Sequence, residues 1–98
     1  IVSFHGDLVS PTLEKDASQT NAKVLVLHGA DDPYVPQKDV DQWVAAMRQT
    51  DVDWQLTQFG NTVHSFTNPR AKSEGARYHE DSARRAVAAM RRLFEETW

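Results

Sequence analysis

Ninety-eight residues with a formal net charge of −3, 40% hydrophobic and 26% charged, make one small folded domain at most. The balance excludes disordered, collagen-like and low-complexity chains, and without a long basic run nucleic acid is not an expected partner. With no cysteine there is no disulfide framework, no Cys-based zinc site and no Cys nucleophile among these residues, and no apolar run nears the roughly 18–20 residues of a membrane span.

Ile1 to Phe4 is apolar and β-prone and stops at His5-Gly6-Asp7. It opens the chain in mid-strand with no initiator Met, so an upstream portion is expected. Residues 7–21 are polar and hold Pro11, which predicts a loop that can include one irregular helical turn. Ala22 to Leu27 is a continuous apolar run closed by His28-Gly29, the mark of a strand buried on both faces of a parallel sheet. Ala30 to Pro36 is a loop with paired acids and two prolines. From Gln37 to about Gln49, apolar Val40, Trp43, Val44 and Met47 follow the i, i+3, i+4, i+7 pattern of an amphipathic helix.

Asp53 to Phe59 interleaves polar and β-prone residues, as a half-covered strand near a sheet edge does. Gly60 to about Arg77 is a long polar loop containing His64, and loops of that length in small domains are often functional. Tyr78 to Glu96 predicts a helix with Ala83, Ala86, Val87, Met90, Leu93 and Phe94 on one stripe, and with Glu80–Arg84 and Asp81–Arg85 as i, i+4 pairs on the polar side. Strands alternating with helices indicate an α/β fold with about three mainly parallel strands and two main helices, its sheet incomplete. No repeat or linker divides residues 1–98.

Ligands of parallel α/β sheets bind at the carboxyl ends of the strands, where two residues draw notice. Asp32 lies four residues beyond His28, and His64 five beyond Phe59. A carboxylate and an imidazole on neighbouring strand-end loops suit orientation of a general base for a nucleophile. Taken singly, an Asp after a strand is more often a turn former and a loop His more often exposed. Asp31, with His5 and His28, leaves a metal site as a lesser alternative, although no ligand spacing such as H-E-x-x-H supports one.

Val24 to Pro36 (V-L-V-L-H-G-A-D-D-P-Y-V-P), followed by Val63 to Pro69 (V-H-S-F-T-N-P), resembles the C-terminal segment of the dienelactone hydrolase family of α/β-hydrolases. The resemblance implies a triad in the order nucleophile, Asp, His. The acid falls in a G-x-x-D-x-x-V-P loop, which selects Asp32 over Asp31, and the base falls in an H-S-F motif, which selects His64. Tyr34 and Phe66 flank these positions; core or rim packing is the favoured reading of each, with a place in a substrate pocket as the alternative. An arginine that holds a substrate carboxylate in dienelactone hydrolase proper falls at Asn68 here, which argues against an anionic dienelactone.

The nucleophile elbow G-x-S-x-G is absent, because no two of Gly6, Gly29, Gly60 and Gly75 are four residues apart. The expected function is thus the C-terminal part of a carboxylic ester or lactone hydrolase that supplies Asp32 and His64 but no nucleophile. The resemblance implies no cofactor and no metal, and a cytoplasmic location is the default expectation. The alternative is a non-catalytic module that self-associates. The expected partners are a small ester or lactone, and either the missing N-terminal portion or a second copy.

Overall fold

A computed structural model describes residues 1–6, 8, 10, 13–19 and 21–97. Its elements are β1 (Val2–Ser3), α1 (Leu13–Ser18), β2 (Val24–Gly29), α2 (Gln37–Met47), β3 (Trp54–Phe59) and α3 (Glu80–Thr97). The three strands form a parallel sheet in the order β1-β2-β3. Val2 is opposite Leu25, and β2 and β3 pair along their whole length from Val24–Trp54 to Gly29–Phe59.

The continuous apolar run of β2 is explained by its central place. Val26 faces a core shared with Val35, Val40, Trp43 and Met47, while Leu25 and Leu27 face one shared with Phe66, Ala86 and Leu93. Crossovers of one hand that step the same way along a sheet place their helices on one face, and α1 and α2 do pack on each other there. On the other face α3 lies against β2. β3, at the sheet edge, alternates half-buried Trp54 and Leu56 with exposed Gln55 and Thr57, as its interleaved composition predicts.

Two expectations change along residues 1–21. The opening strand pairs over only two residues. Within the expected loop 7–21, Leu13–Ser18 is a helix whose single i, i+4 apolar pair, Leu13 and Ala17, meets the α2 core; Asp7, Val9, Pro11, Thr12 and Thr20 lie outside the described residues. One such pair is too short a signal to register as periodicity, and this third helix covers part of the sheet that two helices would leave bare.

In α3 the inward stripe is Ser82, Ala83, Ala86 and Leu93, which turns Phe94 to 37% exposure. The helix starts at Glu80, where the Nδ1 of His79 accepts the Ser82 N–H as a side-chain cap. The observed ion pair is Asp81–Arg84 at 2.9 Å, spaced i, i+3 and largely exposed, so it adds little to stability. Among the described residues no helix is long and apolar enough to cross a membrane.

Candidate active site

The loop after β2 is shaped by a contact that only glycine permits. A Cβ on Gly29 would stand 2.6 Å from the Thr62 carbonyl oxygen and 2.7 Å from that of Val63, far inside van der Waals contact. This approach locks the β2 loop to the β3 loop, through Asp31 N–H to the Thr62 carbonyl at 2.9 Å and Ala30 N–H to the Phe59 carbonyl at 2.9 Å. Three residues beyond Gly29, Asp32 turns inward with a side chain that is 0% exposed. Its Oδ1 accepts the N–H groups of Tyr34 (2.8 Å) and Val35 (3.2 Å). Val35 then plugs the α2 core and Pro36 begins α2, accepting from the N–H of Asp39. Asp31 is exposed.

The other carboxylate oxygen of Asp32 meets the second loop. Its Oδ2 lies 2.9 Å from His64 Nδ1. The backbone of His64 is held on both sides by the returning segment, with its N–H donating to the Gly75 carbonyl and its carbonyl accepting from Arg77. These contacts make the bridge His64–Ala76, so a loop of this length is tied down rather than slack. Ser65 follows in the left-handed region at φ 56°, a conformation uncommon for a residue with a Cβ. The His64 side chain is 27% exposed, and its Nε2 makes no hydrogen bond among the described residues.

Tyr34, 62% exposed, meets the His64 ring edge-on with centroids 5.2 Å apart. Phe66 is placed differently from a pocket wall. It is 0% exposed and packs on Phe59 and His5 in the α3-side core, so it supports the loop from beneath. Asn68 is exposed and uses its Oδ1 to accept the Arg70 N–H, leaving the Arg70 backbone in a local turn.

Two further histidines border the pair. His5, just beyond β1, lies 5.5 Å from the His64 ring and hydrogen-bonds through Nε2 to Thr67 Oγ1 at 2.8 Å. Burial, then the neighbouring His64, lowers its pKa against a smaller opposing pull from Asp32. His28 is buried at the end of β2, and burial lowers its pKa although the Asp32 charge and a hydrogen bond with the Val35 backbone resist. His5 was read from sequence only as a strand stop and a remote metal ligand. Its position at a strand's carboxyl end, the reasoning applied to Asp32, is the signal that would have singled it out. Among the described residues no group of three acidic or His side chains is arranged to hold a metal ion.

Neither nearby serine serves the base. Ser3 Oγ accepts the Gly6 N–H at 3.3 Å, and the Ser65 hydroxyl makes no hydrogen bond to His64. The geometry therefore provides a buried, doubly anchored carboxylate on one nitrogen of an imidazole and, among the described residues, leaves the other nitrogen open. Such a pair can hold a proton at Nδ1 and exchange one at Nε2.

A parallel sheet with an Asp and a His meeting on adjacent strand-end loops defines an α/β-hydrolase type of architecture. The dienelactone hydrolase family model matches residues 1–98, and the chain belongs to that family. It is similar to the solved structure of m3DLH, at 40% identity and a TM-score of 0.85. It is also similar to the dienelactone hydrolase-like promiscuous phosphotriesterase P91 from metagenomic libraries, at 39% identity and a TM-score of 0.87. Each match covers 98% of this chain and 41% of the other, so the chain spans about two fifths of the length of these relatives. Comparison with curated proteins gives no match.

Proposed function

We propose that this chain carries the acid and the general base of a carboxylic ester or lactone hydrolase whose nucleophile, a serine or a cysteine, lies outside these residues. The observation that carries the reading is the 2.9 Å contact between Asp32 Oδ2 and His64 Nδ1, with Nε2 left open among the described residues. Asp32 fixes the tautomer with the proton on Nδ1 and stabilises the imidazolium. His64 Nε2 takes the proton of the nucleophile as it attacks the carbonyl, and gives it to the departing alkoxide. It then takes a proton from water, whose hydroxide releases the acid, and returns that proton to the nucleophile. Asn68 is exposed and stands where the family resemblance would put a carboxylate-binding arginine, which favours uncharged substrates.

The reading is tested by hydrolysis of an uncharged aryl ester with the full-length gene product and its variants. His64→Ala and Asp32→Asn should lower kcat/KM on the order of 10⁴-fold or more, whereas exposed Asp31→Asn should stay within about twofold of the parent, as surface substitutions away from the chemistry do. The 98-residue chain alone should show no turnover. Strong hydrolysis by the isolated chain, or full activity in His64→Ala, would overturn the assignment. Because P91 is described as a promiscuous phosphotriesterase, an uncharged phosphotriester belongs in the same assay as a second substrate.

A further inference from the structure

We propose that His5 is a positioning residue for His64: its ring packs on the His64 imidazole and its hydrogen bond to Thr67 ties the end of β1 to the turn that carries the base. The inference rests on the reading of Asp32 and His64 given above.

One hydrogen bond at Nδ1 does not fix an imidazole plane, because the ring can still swing about the axis of that bond. Two neighbours restrict the swing. Tyr34 stands at 5.2 Å with an interplanar angle of 71°, and His5 at 5.5 Å with an angle of 58°. Tyr34 is largely exposed, whereas His5 is half-buried and braced edge-on by fully buried Phe66 at 5.6 Å. His5 is therefore the firmer of the two walls.

The backbone makes the same point. Ser65 holds a left-handed conformation that persists only where its surroundings over-determine it. On the amino side, the Gly75 carbonyl and Arg77 N–H grip His64. Beyond Ser65, His79 N–H donates to the Phe66 carbonyl and His5 Nε2 bonds Thr67 Oγ1. The His5 bond is the tie that joins this turn to β1, across 62 positions of sequence. Burial and the nearby His64 also lower the His5 pKa, which disfavours a second positive charge beside an imidazolium. The groups facing it are His64, Asp32, Phe66 and Thr67.

The experiment measures kcat and KM for an uncharged aryl ester with the full-length gene product carrying His5→Ala, His5→Gln, Thr67→Val and the double variant His5→Ala/Thr67→Val. A loosened base lowers turnover while leaving ground-state binding intact. Both His5→Ala and Thr67→Val should reduce kcat about 10-fold with KM within about twofold. The double variant should be no worse than the weaker of the two single variants, since both break one tie. His5→Gln, whose amide nitrogen falls near the position of Nε2, should recover the part of the loss that the Thr67 tie carries, raising kcat above that of His5→Ala. Additive losses, an effect on KM alone, failure of His5→Gln to raise kcat above that of His5→Ala, or unchanged kcat in Thr67→Val would overturn the proposal. Should His5→Ala not fold, Thr67→Val and His5→Gln still decide it. Full activity in His64→Ala would instead remove the acid–base reading itself, so the two failures are distinguishable.

Discussion

Three imidazoles and one buried carboxylate share a small volume at the carboxyl end of this sheet, and burial acts on them unequally. His5 and His28 both have pKa values lowered, chiefly by loss of solvent. A histidine whose folded pKa lies below its unfolded value of about 6.5 binds fewer protons in the folded state. Its contribution is therefore intact above that unfolded value. The contribution is lost as the pH falls below it and levels off once the pH passes beneath the depressed folded value. For His28 the facing groups are Asp32, His64 and the Val35 backbone. Urea unfolding of the parent protein and of His28→Gln between about pH 7.5 and 5.5 tests this, because the difference between the two isolates His28 from the other titrating groups. The parent should lose more stability across that window than the variant. Equal slopes would show that burial of His28 carries no penalty on protonation.

At the scale of elements, the site depends on how tightly the loops after β2 and β3 are pressed together, and Gly29 sets that distance. Gly29→Ala should destabilise the protein by about 1–3 kcal/mol, as overpacking against a backbone does. It should also depress activity, because Asp32 and His64 sit on the two loops forced apart. Gly60→Ala is the control: nothing lies within 4 Å of its added Cβ, and its effect should stay within about 0.5 kcal/mol. Thermal or urea melts of the two variants check the contrast, and equal stability for both would contradict the close approach.

The same elements show what was legible in the chain. β2 and α2 were readable because burial on both faces and a sustained helical period leave strong patterns, and the Asp and His loops because both sit at strand ends. α1 was not, since a six-residue helix carries one buried pair. The inward face of α3 departs from the expected stripe at Ser82, which is buried, and at Phe94, which turns outward, because a stripe of small alanines leaves the rotation of the helix weakly marked. Phe66 takes the core-packing reading, beneath the loop, a direction that its place in a motif does not specify. The Gly29 contact and the His5–Thr67 tie depend on long-range proximity, to which no local pattern points.

For the whole molecule, the sheet has two edges of unlike character. The β3 edge shows Gln55, Thr57 and Gln58 to solvent, and polar side chains discourage pairing there. The β1 edge is short and apolar: Ile1 is 67% exposed, and Val2 and Phe4 are only half-buried against the α3-side core. Among the described residues no strand pairs with the outer side of β1. An unpaired apolar edge is a template for another chain. The 98-residue chain on its own should therefore self-associate through β1. Light scattering after size exclusion at micromolar concentration should give a dimer or larger species, and Val2→Lys, which sets a charge on the edge strand, should shift it toward monomer. A stable monomer for the unmodified chain would mean that β1 is protected as it stands, and association unchanged by Val2→Lys would move the contact to another face.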